Sequence, residues 1–212
     1  TFTHRAAQEM RGRVAQQLDD GTSIEWAGTF HALGARVIRR YADRFGYDPT
    51  FSILGPRDAL RLFTDLARSL DIPEHIKVDE VLALHSLSLN SNRSLESILA
   101  SSTRLDTNDL PWIDHLIDLY VSAKMERQVM DYDDLLSYWY ILLTLPEESA
   151  EITGLFDAVF VDEYQDVCPL QALIVDALAL PHGNLTVVGD DCQSIYGFRG
   201  ADIGAILSFG SR

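Results

Sequence analysis

The sequence has 212 residues, 47% of them hydrophobic, which is enough apolar material for the core of one large domain or one and a half. No stretch approaches the roughly 20 consecutive apolar residues of a membrane-spanning helix, and Thr1 opens directly into a polar, helix-forming segment rather than a secretory signal. The formal charge of −15, from 17 basic and 32 acidic residues, excludes a broad basic surface; contact with nucleic acid has to be local, made by a helix end, backbone amides and a few arginines.

In chain order, Thr1 to Thr3 read as the end of a strand and a cap. Thr3 is the N-cap of a helix running to about Leu18, with Ala6, Ala7, Met10, Val14 and Leu18 on one stripe. Ile24 to Thr29 has the composition of a short strand. A second helix places Leu33, Val37, Ile38, Tyr41 and Phe45 on one face, and Gly46 is its C-cap. From about Tyr47 the pattern changes. Phe51 to Leu54 is a brief extended piece, and short amphipathic helices follow at 56–70, 78–90, 95–101 and 111–130, with no strand between about 56 and 130. The expectation is a helical insertion over 47–128, carried by an α/β domain assembled from 1–46 and 129–212. Tyr132 to Leu145 is a further apolar helix, after which Pro146-Glu147-Glu148 opens a loop.

Two strings near the C-terminus are more specific. VFVDEYQD at 159–166 and VVGDDCQSIYGFRGA at 187–201 are each a short apolar run that stops on carboxylates, and Pro169 to Leu180 between them has helical spacing with proline at its start. Two buried strands joined by a helix form a parallel crossover unit. Both acidic ends then reach the same sheet edge, which is where open α/β folds bind ligands.

At that edge Asp162 offers the hard oxygen magnesium prefers, and Glu163 beside it can polarise an attacking water as a general base. An isolated Asp-Glu pair more often just ends a strand in solvent; the second acidic strand nearby reverses that balance. The amide of Gln193 can both donate and accept, which suits a phosphate oxygen or the attacking water. Tyr196 and Phe198 with Arg199 offer a stacking platform for single-strand bases. Thr1, Phe2 and Thr3 precede a helix N-terminus, a natural phosphate site. Asp131, Asp133 and Asp134 cluster at a helix start, where first-turn acids complement the dipole; this bland reading outweighs a metal-dependent nuclease. Cys168 and Cys192 have neither metal nor redox spacing and fit a reducing cytoplasm. The only lysines, Lys77 in HIKVDE and Lys124 in SAKMER, lack the Gly-Lys-Ser/Thr context of a phosphate loop.

Together these strings resemble the UvrD/Rep-type superfamily 1 DNA helicases. TFTHRAAQEMRGR at 1–13 resembles motif Ia, AGTFHALG at 27–34 the block after it, MDYDDLL at 130–136 the block ahead of Walker B, VFVDEYQD the Walker B motif, and VVGDDCQSIYGFRGA motif III. The resemblance implies a partial RecA-like parallel sheet with flanking helices (subdomain 1A) carrying an all-helical insertion (subdomain 1B). It implies ATP and Mg2+ as ligands, with Asp162 and Glu163 on the metal, Glu163 and Gln193 in catalysis, and Arg199 near the nucleotide. It also implies contacts to single-stranded DNA and duplex junctions through Thr1, Phe2, Thr3, Arg5, Thr29, Phe30, His31, Tyr196, Phe198 and Arg199. Two departures stand out: His4-Arg5 replaces the usual Asn-Lys, and Phe198 replaces the usual tryptophan.

The expectation from the resemblance is a fragment of a cytoplasmic, ATP-dependent 3′ to 5′ helicase or translocase, with the phosphate loop upstream of Thr1 and a second motor domain beyond Arg212. Repair or recombination proteins are possible partners, and the fragment alone lacks turnover. The alternative is a non-hydrolysing DNA- or protein-binding module.

Overall fold

Thr3 starts the first helix by accepting the Ala6 amide on its hydroxyl at 3.1 Å, as its place in the sequence requires. The computed structural model describes residues 1, 3–17, 24–70, 72–73, 75–100, 105, 107–193, 206 and 209. In chain order the longer elements are α1 (His4–Gln17), α2 (Phe30–Arg40), β1 (Ser52–Ile53), α3 (Pro56–Ala67), α4 (Val78–Ser91), α5 (Leu95–Leu99) and α6 (Leu110–Glu126). They are followed by β2 (Val129–Met130), α7 (Tyr132–Thr144), α8 (Pro146–Thr153), β3 (Val159–Val161), α9 (Pro169–Ala179) and β4 (Leu185–Val187). The chain divides into two units, one of Thr1–Ile38 with Tyr138–Arg212 and the other of Arg39–Ser137.

The 39–137 unit is built on helices. Phe63 of α3 and Tyr120 of α6 are fully buried and meet edge to face with centroids 5.1 Å apart, the arrangement their ring quadrupoles favour. Leu62, Val81, Leu99, Ile113 and Leu116 fill the core around them. The unit also contains a strand the periodicity hides. A helix through Met130 is what the spacing predicts, but α6 ends at Glu126 and Gln128 turns into the left-handed region at φ 53°. The Gln128 side chain fastens that turn. It accepts the Asp48 amide at 2.6 Å and donates to the carbonyls of Gly46 at 3.2 Å and Met125 at 2.9 Å. Val129 and Met130 then pair in parallel with Ser52 and Ile53.

The other unit holds the crossover. β3 and β4 are parallel, with Val159 opposite Leu185, Phe160 opposite Thr186 and Val161 opposite Val187, and α9 connects them. α9 begins as its sequence dictates. Pro169 takes the first helical position, where its missing N–H costs nothing. Gln171 reaches back to accept the Cys168 amide at 3.2 Å, and the buried Leu170, Ile174, Val175 and Leu178 mark the face turned inward.

Two local expectations change. Ile24 to Thr29 is a set of bends instead of a strand. Trp26 is held by side chains, stacking edge to face on Phe156 with centroids 5.4 Å apart and lying under the Arg36 guanidinium at 4.0 Å. Pro146 opens α8 instead of a loop: proline at the first position fixes φ, and Glu147 and Glu148 favour the dipole's positive end. Among the described residues no helix is long and apolar enough to cross a membrane.

Candidate functional site

The parallel register brings the ends of β3 and β4 to one edge. Asp162 and Glu163 follow β3 directly and are half-buried. Glu163 sits at φ 57° and ψ 45°, a left-handed conformation that costs a non-glycine residue about 1 kcal/mol. That kink turns the chain into a short 3-10 turn, Tyr164–Asp166. The Tyr164 amide donates to the Val188 carbonyl at 2.9 Å and the Val188 amide to Val161 at 2.8 Å, so the ladder between the strands extends into the site.

Gln165 in this turn is 1% exposed. Its Nε2 donates to Glu163 Oε2 at 2.6 Å, and its Oε1 accepts the Asp190 amide at 3.0 Å. Only this orientation of the amide serves both partners. The Asp190 carboxylate in turn accepts the Cys192 amide on Oδ1 at 3.0 Å and Gln193 Nε2 on Oδ2 at 2.7 Å. A continuous run of hydrogen bonds therefore links Glu163 to Gln193 through Gln165 and Asp190. Gly189 makes room for it. A Cβ there would lie 2.5 Å from Gln165 Oε1 and 2.7 Å from Ile206 Cδ1, closer than real side chains approach. Asp166 in the same turn is buried, and burial together with the Glu163 charge raises its pKa.

Thr1 is buried, and its backbone nitrogen lies 3.3 Å from the Gly28 carbonyl oxygen. Thr3 and Arg5 are exposed at the start of α1. Thr29 is buried and caps α2, accepting the Ala32 amide at 3.3 Å. Phe30 is buried and His31 half-buried. Phe2, Tyr196, Phe198 and Arg199 lie outside the described residues.

Sequence reasoning passed over Gln165, which reads as filler in the YQD string. Asp190 left a faint signal: Asp190 to Gln193 has the D-x-x-Q spacing of a capping box. For a metal, Asp162 and Glu163 supply hard carboxylate oxygens. No group of three or more His, Cys, Asp or Glu side chains that could hold an ion forms among the described residues. The donor set fits magnesium held jointly by one or two carboxylates, water and a phosphate.

Residues 1–212 match the family described as the UvrD/REP helicase N-terminal domain. The ATP-dependent DNA helicase PcrA of Staphylococcus aureus is 33% identical over 210 residues, a match covering 99% of this chain and 28% of the relative. PcrA of Staphylococcus epidermidis is 34% identical over 212 residues, with the same shares covered. The chain thus spans about 28% of the length of these curated relatives.

Proposed function

Because the chain belongs to the UvrD/REP helicase N-terminal domain family, we propose that it forms the water-activating half of an ATP-driven motor on single-stranded DNA. In this reading 1–46 and 129–212 make the RecA-like part and 47–128 the helical insertion. The observation that carries it is the hydrogen-bonded run from Glu163 to Gln193 at the shared end of two parallel strands.

Glu163 is the base. Its Oε2 is held by Gln165, so Oε1 takes the proton as water attacks the γ-phosphorus of ATP. The bond from that phosphorus to the bridging oxygen breaks, leaving ADP and phosphate. Gln193 Nε2 carries two hydrogens; one is held by Asp190, and the other is available to a γ-phosphate oxygen. Asp162, with Glu163 beside it, would hold Mg2+, which when bound neutralises charge on the phosphates.

DNA contact falls to Thr1, Phe2, Thr3, Arg5, Thr29, Phe30 and His31 on one side and to Tyr196, Phe198 and Arg199 on the other, with Arg199 also near the nucleotide. The exposed start of α1, with Thr3 at its cap and Arg5 in its first turn, supports the first group. Movement is 3′ to 5′ along single strands and at duplex junctions, in the cytoplasm and alongside repair or recombination proteins. The 212 residues alone do not turn over ATP.

The test is Glu163→Gln in the complete protein. ATP hydrolysis should fall by at least about 100-fold, the loss typical of removing a general base, while affinity for a non-hydrolysable ATP analogue holds. Near-normal turnover in that variant removes Glu163 from the base role.

A further inference from the structure

We infer that Gln165 is a positioning residue that fixes the Glu163 carboxylate to the Gln193 loop, so that the proton acceptor and the phosphate contact are oriented as one unit. The inference rests on the proposed ATPase reading and deepens it.

Four features of the chain converge on this role. Gln165 is almost wholly buried, and a buried primary amide is costly unless its polar atoms are bonded. Its two bonds go to the two functional segments: Nε2 to Glu163 at the end of β3, Oε1 to the Asp190 amide beyond β4. Glu163 adopts a left-handed backbone, a strained state that survives only where surrounding contacts over-determine it; the Gln165 bond is one such contact. Gly189 leaves open the space into which Gln165 Oε1 projects, 2.5 Å from where a Cβ would stand.

Asp190 completes the linkage. Its amide is held by Gln165, while its carboxylate fixes the Cys192 amide and the Gln193 side chain. A shift of the Gln193 loop therefore pulls on the Gln165 amide and through it on Glu163. Gln165 touches neither ATP nor water in this scheme, and its effect appears in the chemical step.

The test uses the complete protein with Gln165→Glu, Gln165→Ala and Gly189→Ala, and Glu163→Gln as reference. Gln165→Glu keeps an acceptor for the Asp190 amide and loses the donor to Glu163; Gln165→Ala loses both; Gly189→Ala displaces the amide without removing it. Each should lower kcat for DNA-stimulated hydrolysis by about 100-fold, the cost of misplacing a reacting group by about 1 Å. KM for ATP and affinity for a non-hydrolysable analogue should stay within about threefold, the signature of an interaction used in the transition state.

If Glu163→Gln abolishes turnover while Gln165→Glu and Gln165→Ala hydrolyse ATP within about threefold of the parent, the positioning role is wrong and the ATPase reading stands. A raised KM with unchanged kcat also overturns it, because Gln165 would then serve nucleotide binding alone. If either Gln165 variant loses analogue binding through misfolding, Gly189→Ala decides by the same kcat criterion. If the parent protein hydrolyses no ATP, or Glu163→Gln leaves its turnover intact, the broader reading falls first.

Discussion

Lys124 is 1% exposed and lies between two carboxylates, its Nζ 2.7 Å from Asp131 Oδ2 and 2.6 Å from Asp134 Oδ2. The two aspartates also cap α7 reciprocally: the Asp134 amide donates to Asp131 Oδ1 and the Asp131 amide to Asp134 Oδ2, both at 2.9 Å. Tyr120 donates its hydroxyl to Asp131 at 2.8 Å. Burial works against the charge on Lys124, but Asp134 and Asp131 more than offset it and raise its pKa. Two carboxylates share one ammonium, so burial and the Asp131 charge push Asp134 up to about 7. The folded protein then keeps a proton that the unfolded chain loses above the ordinary aspartate value of 3.8. The stability this gives is complete below that value and is lost as pH rises to about 7. His85, held neutral by burial and by Lys124, contributes in the opposite sense, losing stability as pH falls. The comparison that isolates Asp134 is parent against Asp134→Asn in urea unfolding at about pH 5 and about pH 8. The parent's advantage over the variant should shrink at the higher pH; an unchanged difference would remove Asp134 from the titration. Sequence alone placed the aspartates at a helix start and gave them a dipole role. The lysine's part stayed hidden, because nothing local says that a residue on α6 faces the start of α7.

At the scale of elements, terminators were easier to read than continuations. Pro169 stands at the first position of α9 as expected, whereas Gly46, left-handed at φ 74°, caps a 3-10 turn, Ala42–Phe45, and not the second helix, which ends at Arg40 before Tyr41 and Phe45. Phe51 to Leu54 reads as extended and does hold β1, but the Gln128 turn and β2 escaped because a glutamine at positive φ carries no signature and a two-residue strand has no period to detect. The contact of α3 with α6 should dominate the 39–137 unit. Phe63→Ala empties a fully buried aromatic site and removes the Tyr120 stacking partner, and should cost about 3–5 kcal/mol in urea unfolding. A loss below about 1 kcal/mol would mean the helices close over the cavity.

For the whole molecule, the net charge of −15 opposes approach to DNA, so any binding must come from local features such as the start of α1. On α1, Arg5, Arg11 and Arg13 are exposed against a single acid, Glu9, which pairs with Arg13 at 2.5 Å. The isolated chain should bind single-stranded DNA weakly and release it steeply with salt, and Arg5→Ala should lower the slope of log affinity against log salt by about 0.7. An unchanged slope in a fluorescence titration would take Arg5 off the DNA. From the order of residues alone came the parallel crossover, its acidic edge, the helical middle and the family. The first three rest on periodicity, on proline at a boundary, and on apolar runs stopping at carboxylates, all of which act over a few neighbouring residues; the family rests on the resemblance of five motif strings in order. Folding in three dimensions decided which side chains meet: Gln165 with Asp190, Lys124 with its two aspartates, Gln128 with Asp48. Each of these bonds joins positions brought together by strand register or helix packing, and Gln165 and Lys124, each 1% exposed, depend most on theirs because water cannot replace a lost partner there.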